Sequence, residues 1–343
     1  AALVRQIERI PTLHGSFIND VRAEAAEDLV KRCAGGLSQV YFSNSGAEAN
    51  EAALKFAVLA TGRKRFVYCR GGYHGKTLGA LSATDGKKYR EAFEPLLWNF
   101  ASVAYGSLAE LKAALEIPSA GFIVEPIQGE SGINEHPDGY LRKAAEICAA
   151  RDALIIVDEV QTGVGRTGSF LASHPEEIRY DILTLGKGLA GGIPAGATLV
   201  SERVAQRIPR SSHTSTCGGN PLAAAGILTV LRLLDGERLN HVAAIGAYFK
   251  AGLERIVGRR SPFTVKAKGR GLMIGLEVSE RRDDVLKELQ KRKVLAIPAG
   301  INVVRFLPAY ILEQEHVDLA LERIEEALSS ILKVEKNVPL LNG

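Results

Sequence analysis

Apolar residues recur at helical spacing over 23–33, and beyond them short apolar runs alternate with longer helical ones. That rhythm belongs to an α/β chain. Strands are expected at 39–43 (QVYFS), 65–69 (RFVYC), 120–125 (AGFIVE), 153–158, 182–185 and 195–200. These runs are dense in Val, Ile and Leu without alternation, so helices should cover both faces of a mostly parallel central sheet. Helices are expected over 48–61, stopped by Gly62, and over 139–151, 221–234 and 239–257. From about Gly258 the texture changes. Strands at 264–266 and 272–278 flank Gly269-Arg270-Gly271, a helix follows near 283–292, and strands return near 294–297 and 302–306. A last helix carries Val317, Ala320, Leu321, Ile324, Leu328 and Ile331 on one stripe. The expected organisation is a large domain over 1–257 and a small α+β domain over 258–343.

Composition narrows the class only a little. The 343 residues are 46% apolar and 24% charged, the balance of a globular chain with a large core. The net charge of +4 is scattered, and Arg63-Lys64-Arg65 reads as a solvated helix end, so no nucleic-acid partner is needed. Cys33, Cys69, Cys148 and Cys217 lie far apart without a C-x-x-C pair, which suits reduced thiols in a cytoplasmic protein. No apolar run is long enough to span a bilayer, and charges interrupt the first residues, so neither a membrane span nor a signal peptide is expected. No metal is assigned.

The stretch ALIIVDEVQTGVGRTG, from Ala153 to Gly168, admits three chemistries. Its apolar run ending in Asp158-Glu159 suits the metal-holding strand of a P-loop ATPase. That reading needs G-x-x-x-x-G-K-[ST], yet the residue five places before Gly75 in the Gly75-Lys76-Thr77 loop is Arg70. Gly163 to Gly168 spells the dinucleotide pattern G-x-G-x-x-G, but four residues separate it from the strand end, and no acidic residue stands at the required distance beyond it. A flexible loop is the expectation there. The third chemistry is a carboxylate facing a protonated ring nitrogen, which demands an amine nearby. The strand 182–185 ends in Gly186-Lys187-Gly188, so an acid and an amine would stand at the carboxyl ends of neighbouring parallel strands. Asn44-Ser45-Gly46-Ala47 opens a helix whose N–H groups suit a phosphate. Ser45 is also an ordinary N-cap, and the local pattern does not separate these two roles.

Taken together, N-S-G-A-E-A-N-E (44–51), E-P-I-Q-G-E (125–130), D-E-V-Q-T-G-x-G-R-T-G (158–168), L-G-K-G-L-x-G-G (185–192) and T-C-G-G-N-P-L-A (216–223) resemble the class III pyridoxal-phosphate aminotransferases. The match runs in order along nearly the whole chain. G-R-G-L-M-I-G-L-E (269–277) and V-V-R-F-L-P (303–308) look most like the branch that acts on acetylornithine and on acetylated or carrier-linked lysine.

The resemblance implies the type I fold of pyridoxal-phosphate transferases and the following roles. Lys187 matches the lysine that bonds to the cofactor, and Asp158 the acid that pairs with the pyridinium nitrogen. Val160 and Gln161 match residues beside the ring and its phenolic oxygen, and Tyr73 the aromatic that stacks on it. Ser45, Gly46 and Ala47 match the phosphate loop. Thr216 matches a threonine that reaches the phosphate of a partner subunit's cofactor, which implies a homodimer with shared active sites. Lys76, Glu130, Ser215 and Arg305 match the substrate side, with Arg305 holding a substrate carboxylate and Glu130 neutralising it when the donor presents its terminal amine. The implied reaction moves the terminal amino group of N-acetylornithine or a protected lysine to 2-oxoglutarate, giving a semialdehyde and glutamate for arginine or lysine biosynthesis. An acidic carrier protein is the implied macromolecular partner.

Three positions depart from the pattern. Lys76 stands where the branch usually has Arg, Ser131 where Gly is common, and Cys217 where an aromatic is usual. Lys cannot make the two-pronged carboxylate contact of Arg, so a putrescine-type diamine is an alternative donor. Family chains also begin with a further N-terminal segment, so a truncated, catalytically silent protein is the other alternative.

Overall fold

The computed structural model describes residues 1–259 and 264–336. Residues 260–263 and 337–343 of the expected small domain lie outside the described residues. By contacts the chain forms two units. The first comprises Ala1–Pro126, His136–Gly165 and Ser169–Gly236, and the second Ile127–Glu135, Arg166–Gly168 and the chain from Glu237 on.

The first unit is built on a seven-stranded sheet. Its order is Leu37–Ser43, Gly196–Ser201, Ile182–Leu185, Leu154–Asp158, Gly121–Val124, Arg65–Cys69 and Asn99–Val103. Gly196–Ser201 runs antiparallel to both of its neighbours, and the other pairings are parallel. The central strands are buried along their whole length, which is why their sequences do not alternate. The helix Gly46–Thr61 lies on this sheet. Its buried face is mostly alanine (Ala49, Ala52, Ala53, Ala57, Ala60), so its backbone sits close to Phe66, Ile156 and Ile182 in one core. Gly62 ends it in the left-handed region, φ +72°, with its N–H on Val58 O at 2.7 Å.

The second unit holds a four-stranded antiparallel sheet, in the order Thr264–Arg270, Met273–Val278, Val303–Phe306, Ile297–Ala299. Its core joins Leu276, Val304 and Phe306 to the apolar stripes of the helices Gly236–Arg259 and Gln314–Lys336.

Three expectations change here. The helix Gly236–Arg259, expected inside the large domain, packs Val242, Phe249 and Leu253 into the second unit's core, so the division falls at Gly236 and not after 257. An apolar stripe shows that a helix is buried but not against what. The strand Asn99–Val103 was not expected, because only Val103 of its five residues is buried at this sheet edge. The strand expected at 294–297 sits at Ile297–Ala299. No helix among the described residues is long and apolar enough to cross a membrane.

Candidate active site

The parallel strands Arg65–Cys69, Gly121–Val124, Leu154–Asp158 and Ile182–Leu185 bring their carboxyl ends to one edge of the sheet. The residues that follow them, His74, Glu125, Asp158 and Lys187, line a single cavity of about 330 Å³. Gly46, Ala47, Tyr73, Lys76, Val160 and Gln161 complete its wall. An open α/β sheet offers its binding crevice at this edge.

Asp158 is the best-anchored group in the cavity. It is 3% exposed and its carboxylate collects four hydrogen bonds. Asn50 Nδ2 and His74 Nδ1 reach Oδ2 at 2.8 and 2.7 Å, while the Val160 N–H and Thr184 Oγ1 reach Oδ1 at 3.0 and 3.3 Å. Asn50 is itself fixed, donating also to His74 O at 2.8 Å and accepting at 2.8 Å from the same Thr184 hydroxyl, whose single proton is shared between Asn50 Oδ1 and the more distant Asp158 Oδ1. A buried carboxylate without such donors would reprotonate, so this shell is what lets a negative charge sit at the cavity floor.

Lys187 follows Gly186 and has φ +48°, in the left-handed region that a side chain rarely adopts. Gly186 lets the two backbones approach closely, since a Cβ there would lie 3.0 Å from Gly46 Cα. A Cβ on Gly46 would meet Val160 Cγ1 at 2.4 Å. The start of the helix Gly46–Thr61 is thereby held against the strand end that carries Lys187. Ser45 caps this helix, its Oγ accepting the Glu48 N–H at 3.2 Å, and it does not line the cavity. Gly46 and Ala47 do.

Tyr73 meets the Tyr89 ring edge-on at 5.5 Å, and Lys76 Nζ lies 5.6 Å from the centre of the same ring. The helix Leu78–Ser82 beyond the Gly-Lys-Thr sequence is closed to phosphate. The Glu51 carboxylate already accepts the N–H groups of Gly79 and Ala80, at 2.7 and 3.1 Å. The P-loop reading therefore ends.

The Gly163–Gly168 sequence is a loop, as expected, but it begins well fastened. Glu159 is fully buried and collects the Thr162 and Ser173 hydroxyls and the N–H groups of Ala172 and Ser173. Burial raises its carboxyl above the usual range against those four donors. The expectation of flexibility is corrected at this stretch, where Thr162, Gly163, Val164 and Gly165 are buried.

Glu130 and Arg305 both belong to the second unit. Arg305 is 4% exposed, its Nη2 pairs with Glu130 Oε1 at 2.8 Å and its Nη1 donates to Gly129 O at 2.9 Å. The Ser131 hydroxyl donates to Gln128 Oε1 at 3.2 Å. Ser215 lies apart from the Lys187 cavity, in a second hollow with Tyr41 and Phe42, and Thr216 is exposed and lines neither hollow.

The family model for class-III aminotransferases matches residues 1–328. The chain belongs to this family. It is therefore a pyridoxal-phosphate-dependent transaminase with the type I fold. It is 40% identical to the acetylornithine aminotransferase of Aquifex aeolicus over 333 residues, covering 95% of this chain and 86% of the relative. It is 38% identical to the LysW-aminoadipate semialdehyde transaminase of Deinococcus radiodurans, over 96% of this chain and 77% of the relative. Among solved structures it resembles the ornithine aminotransferase of Toxoplasma gondii, described with partial occupancy of PLP at its active site. There the TM-score is 0.92 at 34% identity, covering 98% of this chain and 82% of that one.

Asn50, His74 and Glu125 line the transaminase's cavity and Thr184 supports Asp158 beneath it, and none of the four was anticipated. The signals were present. Asn50 lies four residues after Gly46, one helical turn on and on the same face. Glu125 directly follows a buried strand, as Asp158 ends one, and Thr184 is a lone polar residue in the apolar run ILTL.

Proposed function

We propose that this transaminase moves the terminal amino group of N-acetylornithine or a protected lysine to 2-oxoglutarate, giving a semialdehyde and glutamate. The observation that carries the chemistry is the four-donor shell of Asp158 in the cavity that Lys187 lines. The donor class rests on the names of relatives at 40% and 38% identity.

The donor set suits pyridoxal 5'-phosphate. Asp158 offers a fixed negative charge for a protonated pyridine nitrogen, Lys187 an amine for the aldehyde, and the N–H groups of Gly46 and Ala47 a helix start for the phosphate. Tyr73 and Val160 supply the apolar contacts for a flat ring, and Gln161 a side-chain amide for its oxygen. When bound, the cofactor supplies an electron-accepting ring that makes the C–H bond beside the donor nitrogen acidic. Lys187 Nζ would remove that proton as general base and later return one as general acid. Arg305 takes the α-carboxylate of glutamate or 2-oxoglutarate, and Glu130 neutralises it while the other donor is bound. Lys76 contacts the donor's carboxylate as a single point charge. Ser215 and Thr216 lie outside this chain's cavity, so their roles on the substrate side and at the phosphate would be exerted on a partner subunit's site in a homodimer.

Initial rates with 2-oxoglutarate fixed test the reading. Acetylornithine or an acetylated lysine is expected to outrun putrescine. A clear preference for putrescine would overturn the assignment of the donor.

A further inference from the structure

Glu125 faces the same cavity and has no part in the scheme above. It follows the strand Gly121–Val124, which pairs directly with the strand ending in Asp158. Three carboxyl groups are buried at this end of the sheet, and they are served unequally. Asp158 and Glu159 collect four hydrogen bonds each. Glu125 is 4% exposed, and among the described residues one hydrogen bond reaches its carboxyl group, from the Tyr73 N–H at 2.9 Å. A buried carboxylate with one donor is poorly compensated, so the neutral acid is favoured. Burial is the largest cause that pushes the Glu125 carboxyl up, to about 7. The charge of Asp158 acts in the same direction, while His74, the Tyr73 N–H and Lys187 oppose it.

We propose that Glu125 sits in the cavity as a neutral acid that sheds its proton reversibly, and that its charge state tunes how strongly the site stabilises positive charge at Lys187. The proposal rests on Lys187 as the residue bonded to the cofactor. While Glu125 is neutral, Asp158 is the carboxylate that acts on the Lys187 nitrogen. Once Glu125 ionises, a second negative charge faces that nitrogen and favours its protonated form. The two groups therefore titrate as a coupled pair. The proton that Glu125 loses goes to solvent, and no bond other than O–H is broken.

Glu125→Gln separates this role from a structural one, because the amide oxygen can still accept the Tyr73 N–H. On the holoenzyme, the spectrophotometric titration of the Lys187-bound chromophore is expected to move to lower pH by about half a unit or more. That is a roughly threefold change in the proton equilibrium. The broad curve of the unaltered protein should become a single-proton curve. A superimposable titration in the two proteins would overturn the proposal while leaving the role of Lys187 intact. The full chain without cofactor gives an independent readout. Its infrared difference spectrum between about pH 6 and about pH 8 should contain the carbonyl stretch of a protonated carboxylic acid, absent in Glu125→Gln. If the Gln variant does not fold, Glu125→Asp should shift that band. If borohydride fixes no label on Lys187, the site reading falls, and the infrared band alone decides: its presence supports the neutral acid and its absence overturns it.

Discussion

Asp158 and Arg305 are both buried charges, and the molecule holds them in different ways. Asp158 is fixed by four donors from rigid neighbours: a helix side chain, the His74 ring, a strand threonine and the Val160 N–H. Arg305 stands on a strand of the second unit and is matched by Glu130, whose side chain remains 29% exposed. In the proposed reaction the first arrangement would keep one charge in one place throughout. The second would leave a charge whose partly exposed partner is free to turn towards solvent when a substrate carboxylate arrives. A transaminase needs both, because its electron sink must not change between half-reactions while its two substrates differ in charge.

Substitutions sharpen this contrast. Lys187→Ala should have the largest effect, abolishing covalent attachment of the cofactor and lowering turnover by at least 10²–10⁴-fold, roughly the contribution of a positioned acid–base group; single-turnover absorbance with glutamate reads it. Asp158→Asn should follow, with a loss of roughly 10²–10³-fold in kcat. An amide must turn its NH₂ towards two of the four donors, so cofactor retention on gel filtration should fall as well. A loss under about tenfold would mean that the charge at 158 is not used. Arg305→Ala should leave cofactor binding intact and raise KM for 2-oxoglutarate by roughly 10–100-fold, the worth of a charge-assisted hydrogen bond. Glu130→Ala should act in the opposite sense on that KM, by about tenfold or less, and slow the half-reaction of the donor amine. Stopped-flow measurement of the separate half-reactions distinguishes the pair. Lys76→Arg is the smallest, a few-fold shift of kcat/KM towards carboxylated donors over putrescine, about 1 kcal/mol.

Glu125 adds a stability test. Its folded-state carboxyl titrates above its ordinary 4.5, at about 7, so the folded protein holds a proton that the unfolded chain has released. Stability from this group is present below the ordinary value and is lost as pH rises through about 7. Glu125→Gln removes that dependence. The melting temperature of the cofactor-free variant should gain on the unaltered protein as pH rises from 5 towards 8, at about the midpoint that burial sets.

Much of the fold was legible because buried parallel strands leave dense apolar runs. ILTL and ALIIV could hardly be anything else, and the lysine and aspartate at their ends followed from the same pattern. The edge strand Asn99–Val103 was hidden because an edge buries little and leaves no run to see. The unit boundary was hidden because the stripe on Gly236–Arg259 looks alike whichever core it enters. At the site, the side chains proposed to bond the cofactor or substrate could be picked out by residue type and motif. Asn50, His74 and Thr184 are harder to pick out, since they act by supporting Asp158 across 108, 84 and 26 positions of sequence. Glu125 stands inside the E-P-I-Q-G-E motif without a mark of its own, because the single hydrogen bond to its carboxyl group is a property of the folded cavity.

The central claim is that Lys187 bonds the cofactor in the cavity floored by Asp158. Borohydride reduction of the protein saturated with pyridoxal phosphate, followed by peptide mapping, tests it directly. A stable label on Lys187, lost when glutamate is added before reduction, is the predicted result. Protein that stays colourless, or a label on any other lysine with 187 unmodified, would contradict it.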